Sequence, residues 1–98
     1  MLRNFPAIIG FGERIMKLAK YVKFREEKFG GVLFETRSEK VFTLNPTATA
    51  VVREIQAGTG ESDIPGRLKE RFLDEGATIE REAAVFIAEL RQKGLVED

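Results

Sequence analysis

An α+β domain, a three-stranded antiparallel sheet followed by three helices, is the fold class that the sequence predicts. Three observations carry it. Apolar and polar residues alternate from Tyr21 to Leu44, helical spacing takes over at Pro46, and glycine or polar clusters separate the runs. With 98 residues and 43% hydrophobic content, the chain suits one domain that spends its apolar residues on a single core.

Residues 1–20 precede the alternation and are expected to form a helical arm. "FPAIIGFG" is broken by Pro6, Gly10 and Gly12, and "ERIMKLAKYV" then places Ile15, Leu18, Ala19 and Val22 at helical spacing. Such an arm would pack on the domain or on a second copy, giving a homodimer. The domain itself is expected over residues 21–98.

Three strands come first. "YVKFRE", "GGVLFET" and "KVFTL" are joined by short polar connections, which favours a meander of antiparallel hairpins. One face is expected to carry Val22, Phe24, Phe34, Phe42 and Leu44. Three strands need a helical layer against that face.

The helices supply the layer. Asn45 is a helix N-cap whose side-chain oxygen can accept from the first turn, and Pro46 loses no hydrogen bond at the first helical position. Ala48, Val51, Val52 and Ile55 form an inward stripe, and Gly58 ends the helix. A second helix should start at Ser62 or Asp63, place Ile64, Leu68 and Phe72 four apart, and stop at Gly76; Pro65 is tolerated only in its first turn. The third should run from Ile79 to Lys93 with Ile79, Ala83, Phe86, Ile87 and Leu90 inward. Gly94 ends it, and Leu95-Val96 folds back. Val85 lies well off this stripe, and Ala88 lies nearly opposite its centre.

Charge and residue absences narrow the function. The net charge is zero, but residues 1–28 hold seven Lys/Arg against three Asp/Glu, and residues 61–98 hold six against ten. That division suits an interaction module better than a nucleic-acid binder. The chain has no Cys and no His, which removes disulfides, thiolate or imidazole metal sites, Cys-ligated clusters and catalytic Cys or His. No phosphate-binding fingerprint or calcium loop is present, and no apolar run spans a membrane. The expectation is a cytoplasmic protein with no cofactor, no metal and no catalysis of its own.

The third strand offers a binding surface. Lys40, Val41, Phe42, Thr43 and Leu44 would form a sheet edge, and an edge must be blocked or used. An extended peptide can add there through backbone hydrogen bonds, with alternate side chains against the third helix. Val85, Ala88 and Arg81 on that helix are the candidate contacts. The alternative is a winged-helix DNA-binding regulator that reads bases with the third helix. Glu80, Glu82 and Glu89 on that helix weaken phosphate attraction.

The order of these marks resembles the PqqD-like family. The marks are Leu44-Asn45-Pro46-Thr47-Ala48, Val51-Val52, Ile55, Gly58, and Leu90 to Leu95 with its Gly94-Leu95 ending. "REEKFGG", Arg25 to Gly31, also looks like a segment found in PqqD-like proteins paired with radical enzymes. The resemblance covers residues 21–97 and leaves out the arm. It implies a RiPP recognition element with a winged-helix-like arrangement. Such a module binds the leader of a ribosomally made precursor peptide and presents it to a radical S-adenosylmethionine enzyme.

Overall fold

The computed structural model describes residues 15–72 and 78–98. The chain runs β1 (Lys17–Leu18), β2 (Val22–Glu27), β3 (Gly30–Glu35), β4 (Lys40–Leu44), α1 (Pro46–Gln56), a 3-10 turn (Glu61–Asp63), α2 (Ile64–Phe72), α3 (Thr78–Gln92) and β5 (Val96–Glu97). Strands β2, β3 and β4 form an antiparallel meander with β3 in the centre, and β1 pairs separately with β5. The α+β class and the three-strand, three-helix order are as the sequence predicts.

The register decides which side chains meet the helices. Phe24, Leu33 and Phe42 lie opposite one another across the three strands, as do Glu26, Gly31 and Leu44. Directly opposite residues share a face. Val22, Phe24, Leu33, Phe42 and Leu44 therefore form the inward face. Phe34 does not belong to it: it pairs with Lys23 and Val41 on the outer face, where the Arg25 guanidinium lies 5.4 Å from its ring centre. The run Val32-Leu33-Phe34 is apolar on both parities, so its pattern alone cannot say which residues point inward.

The second correction concerns the arm. Its described part is not a helix. Lys17 and Leu18 pair with Glu97 and Val96, and the Ala19 N–H donates to the Leu95 carbonyl at 2.9 Å. Met16 is buried in the core while Ile15 is exposed. Pairing with the returning C-terminal strand overrides the helical spacing of these residues. Residues 1–14, and with them the expected dimer contact of the arm, lie outside the described residues.

The junction after β4 forms as the side chains dictate. The Asn45 Oδ1 accepts the Ala48 N–H at 2.8 Å, and Pro46 opens α1. Gly58, at φ +85°, ends that helix: its N–H donates to the Ile55 carbonyl, and the Thr59 N–H donates to the Glu54 carbonyl. Behind the junction, β3 begins with two glycines at close approaches, the tighter being to backbone at Gly30. A Cβ on Gly30 would stand 2.2 Å from the Leu44 carbonyl oxygen, and one on Gly31 would stand 2.8 Å from the Phe24 ring.

The core lies between the sheet and the helices. Leu33, Val51, Val52, Ile64, Leu68 and Ala83 are completely covered, and Ile55 and Leu90 nearly so. Burying each larger aliphatic side chain is worth about 1.5–3 kcal/mol. α2 starts at Ile64, a residue or two later than expected, because Glu61–Asp63 first make the 3-10 turn; Pro65 is in its first helical turn. The expected Gly76 stop is outside the described residues. α3 ends before Gly94, at φ +71°, and Leu95 and Val96 return into the core.

A buried carboxylate ties α1 to α2. Glu54 accepts hydrogen bonds from the Thr59 hydroxyl at 2.6 Å, Arg67 Nε at 2.7 Å and Arg71 Nη2 at 3.3 Å. Burial pushes its pKa up, but the Arg67 and Thr59 hydrogen bonds and the two guanidinium charges outweigh that, holding it below the ordinary value. Arg91 plays a similar role on α3, donating to Glu61 in the 3-10 turn and to Asp98 at 3.2 Å.

Candidate functional site

The sheet has two edges, and they differ. β2 carries Lys23, Arg25, Glu26 and Glu27 along its edge, a charged edge of the kind that discourages pairing. β4 carries Lys40 as its one charge, and its outer side pairs with no strand among the described residues. Beside that open edge runs α3, in the opposite direction to β4. This is visible from what lines the gap between them. At one end, a cavity of about 320 Å³ is walled by Asn45, Thr47 and Ala48 from the β4–α1 junction and by Arg81, Glu82, Val85, Phe86 and Glu89 from α3. At the other end, about 570 Å³ is walled by Glu35, Arg37, Ser38, Lys40 and Phe42 together with Lys93 and Leu95.

The two walls match in length. From Lys40 to Asn45 an extended chain advances about 16 Å, and from Arg81 to Gln92 the helix rises about 16 Å. The gap is a groove long enough for about five extended residues. Its floor is apolar, with Phe42 and Phe86 half-buried on the core.

The candidate residues divide by their place along this groove. Lys40 and Phe42 point into it; Leu44 points the same way but is buried in the core. Val41 and Thr43 face the opposite side of the sheet, so they offer the groove only backbone groups. Arg81 and Val85 line the Asn45 end, and Val85 is 55% exposed. Ala88 is exposed, but it lines neither cavity. Lys93, Arg37 and Glu35 are groove residues that the sequence did not single out. Lys93 and Arg37 give a weak signal because they come from a helix end and a turn, and Glu35 is the polar last residue of β3.

The electrostatics are uneven. In the Lys40 cavity Glu35 accepts the Ser38 N–H at 2.8 Å, the Ser38 hydroxyl at 3.0 Å and Arg37 Nε at 3.2 Å. The Ser38 backbone hydrogen bond leads in holding its pKa below the ordinary value. Lys40 and Lys93 have no such partner among the described residues. Those residues contain no group of three or more His, Cys, Asp or Glu side chains able to hold a metal, and no helix long and apolar enough to cross a membrane.

Residues 30–96, from the start of β3 to β5, match the family model described as coenzyme PQQ synthesis protein D (PqqD). The chain belongs to the PqqD family. Solved structures with the same fold include a lasso peptide synthetase B1 complexed with the leader peptide, 24% identical, with a TM-score of 0.73 over 87% of this chain and 100% of that one. TbiB1 in complex with the TbiA(beta) leader peptide is 20% identical, with a TM-score of 0.72 over 83% and 94%. The PqqD truncation of Methylobacterium extorquens PqqCD, described as a functional, stand-alone RiPP recognition element, is 25% identical, with a TM-score of 0.65 over 85% and 88%. No curated protein sequence matches.

Proposed function

We propose that this PqqD-family chain binds the leader region of a ribosomally synthesised precursor peptide and presents it to a radical S-adenosylmethionine enzyme. The peptide adds as a fourth strand to β4, and its alternate side chains enter the groove against α3. The observation that carries this reading is the pairing of an open β4 edge, charged only at Lys40, with an apolar-floored groove of matching length. Two solved structures of this fold hold leader peptides, which supports leader binding here.

The chain acts as a cytoplasmic binding module, and the chemistry belongs to its partner. Its sequence has no Cys with which to hold the iron–sulfur cluster of a radical enzyme. Backbone pairing supplies affinity for any extended segment, and the groove selects among segments. The DNA-reading alternative finds no support in α3, which presents Glu82 and Glu89 to the groove and exposes Glu80 in part.

The test is a titration with peptides drawn from any short reading frames that flank the gene, followed by amide NMR. Shifts along residues 40–45 and 81–93 are expected. Saturable binding that leaves both segments unshifted would end the proposal.

A further inference from the structure

The two ends of the groove differ in chemistry. At the Asn45 end, Ala48, Val85 and Phe86 present apolar surface, and the charged rim is of mixed sign, with Arg81 beside Glu82 and Glu89. The Lys40 end is cationic. Lys40 reaches it from β4 and Lys93 from just beyond α3, and neither forms an ion pair among the described residues. Glu35, the one carboxylate in its wall, is already occupied by Arg37 and Ser38. Two ammonium groups without a carboxylate partner therefore face a cavity of about 570 Å³.

An added strand puts every second side chain into the groove. The positions opposite Leu44 and Lys40 are then four residues apart and on the same face. Antiparallel pairing is the more stable arrangement per residue, and it runs the peptide from the Asn45 end towards the Lys40 end. We infer that the groove selects peptides bearing an apolar side chain and, four residues towards their C-terminus, a carboxylate seated between Lys40 and Lys93. This rests on strand addition at β4. The apolar side chain fills the space beside Val85 and Phe86. The carboxylate replaces water around two cations that share one partly enclosed space, where charge pairing is screened less than on an open surface.

The experiment is selection from a displayed library of random peptides on three proteins: the wild type, Lys40→Gln/Lys93→Gln and Lys40→Glu/Lys93→Glu. The wild type should enrich an apolar residue followed, four positions on, by Asp or Glu. The Gln pair should keep the apolar preference and bind the synthetic wild-type consensus at least tenfold more weakly. The Glu pair should enrich Lys or Arg at the same position. An acidic preference that survives in either variant, or none in the wild type, overturns the inference. If the Glu pair fails to fold, the Gln pair decides the outcome. No enrichment on the wild type, or enriched peptides that leave the amides of β4 and α3 unshifted, instead overturns strand addition itself and this inference with it.

Discussion

Replacing Val85 by Arg should weaken leader binding at least tenfold while barely changing stability. Val85 is 55% exposed in the free protein and lines the apolar end of the groove. Fully burying a Val side chain is worth about 1.5–3 kcal/mol, so covering the exposed half with a peptide contributes about 1 kcal/mol. An Arg there forfeits that gain and must also move its guanidinium out of the peptide's way or lose water around it. Together these exceed about 1.4 kcal/mol, the equivalent of tenfold in Kd. In the free protein the charge stays in water, the aliphatic stem covers the same surface, and Arg is the better helix former. The stability change should stay within about 0.5 kcal/mol, a shift of about 2–4 °C in Tm. Ala88→Arg gives the comparison, since Ala88 lies on the same helix but lines neither cavity. Calorimetric titration of one leader peptide into all three proteins reads the result. Equal losses at positions 85 and 88, or undiminished binding by Val85→Arg, would refute the placement of the peptide.

Two further outcomes concern the scaffold. Gly30→Ala should destabilise the domain by about 2–4 kcal/mol, because its Cβ would stand 2.2 Å from the Leu44 carbonyl oxygen at a φ of +150°; a Tm within 3 °C of wild type would contradict the close approach of β3 to the junction. Glu54→Gln should cost about 1–2 kcal/mol at pH 7, because Glu54 accepts from two arginines and a hydroxyl that can partly rehydrate when it changes. Its pKa is lower folded than unfolded, so the unfolded chain takes up the proton more readily; the contribution is present above the ordinary value of 4.5 and is lost as pH falls through the folded value. Urea melts at pH 7 and pH 3 should therefore show the gap between wild type and variant closing in acid, and a constant gap would argue against the charge.

Much of this was legible where one residue type has one local use. Asn45 and Pro46 mark a helix start, Gly58 and Gly94 mark ends, and the stripes of α1 and α3 place their inward faces with no knowledge of the partners. Legibility failed where an answer depended on something distant in the chain. Ile15, Leu18, Ala19 and Val22 fit a helix locally, and only a strand arriving some eighty residues later recruits Lys17 and Leu18 into a ladder. Phe34 and Leu33 are equally apolar, and the pairing with Phe24 and Phe42 decides between them. The groove was half legible for the same reason. Its edge strand and Val85 follow from pattern. Lys93 and Arg37 enter it only because α3 runs antiparallel to β4 and brings its far end to the hairpin turn.

The pairing of Lys17 with Glu97 has a consequence for how the domain connects to other proteins. Cα atoms opposite one another in an antiparallel ladder are about 5 Å apart, so Lys17 and Glu97 form a single doorway in the described fold. That doorway adjoins Leu95, in the wall of the cationic cavity. A segment leaving the ladder from Lys17 or from Glu97 starts at the same spot, beside the Lys40 end of the groove. The ladder is thus indifferent to direction: whichever of its two strands carries a linker, that linker starts from the same edge of the recognition surface.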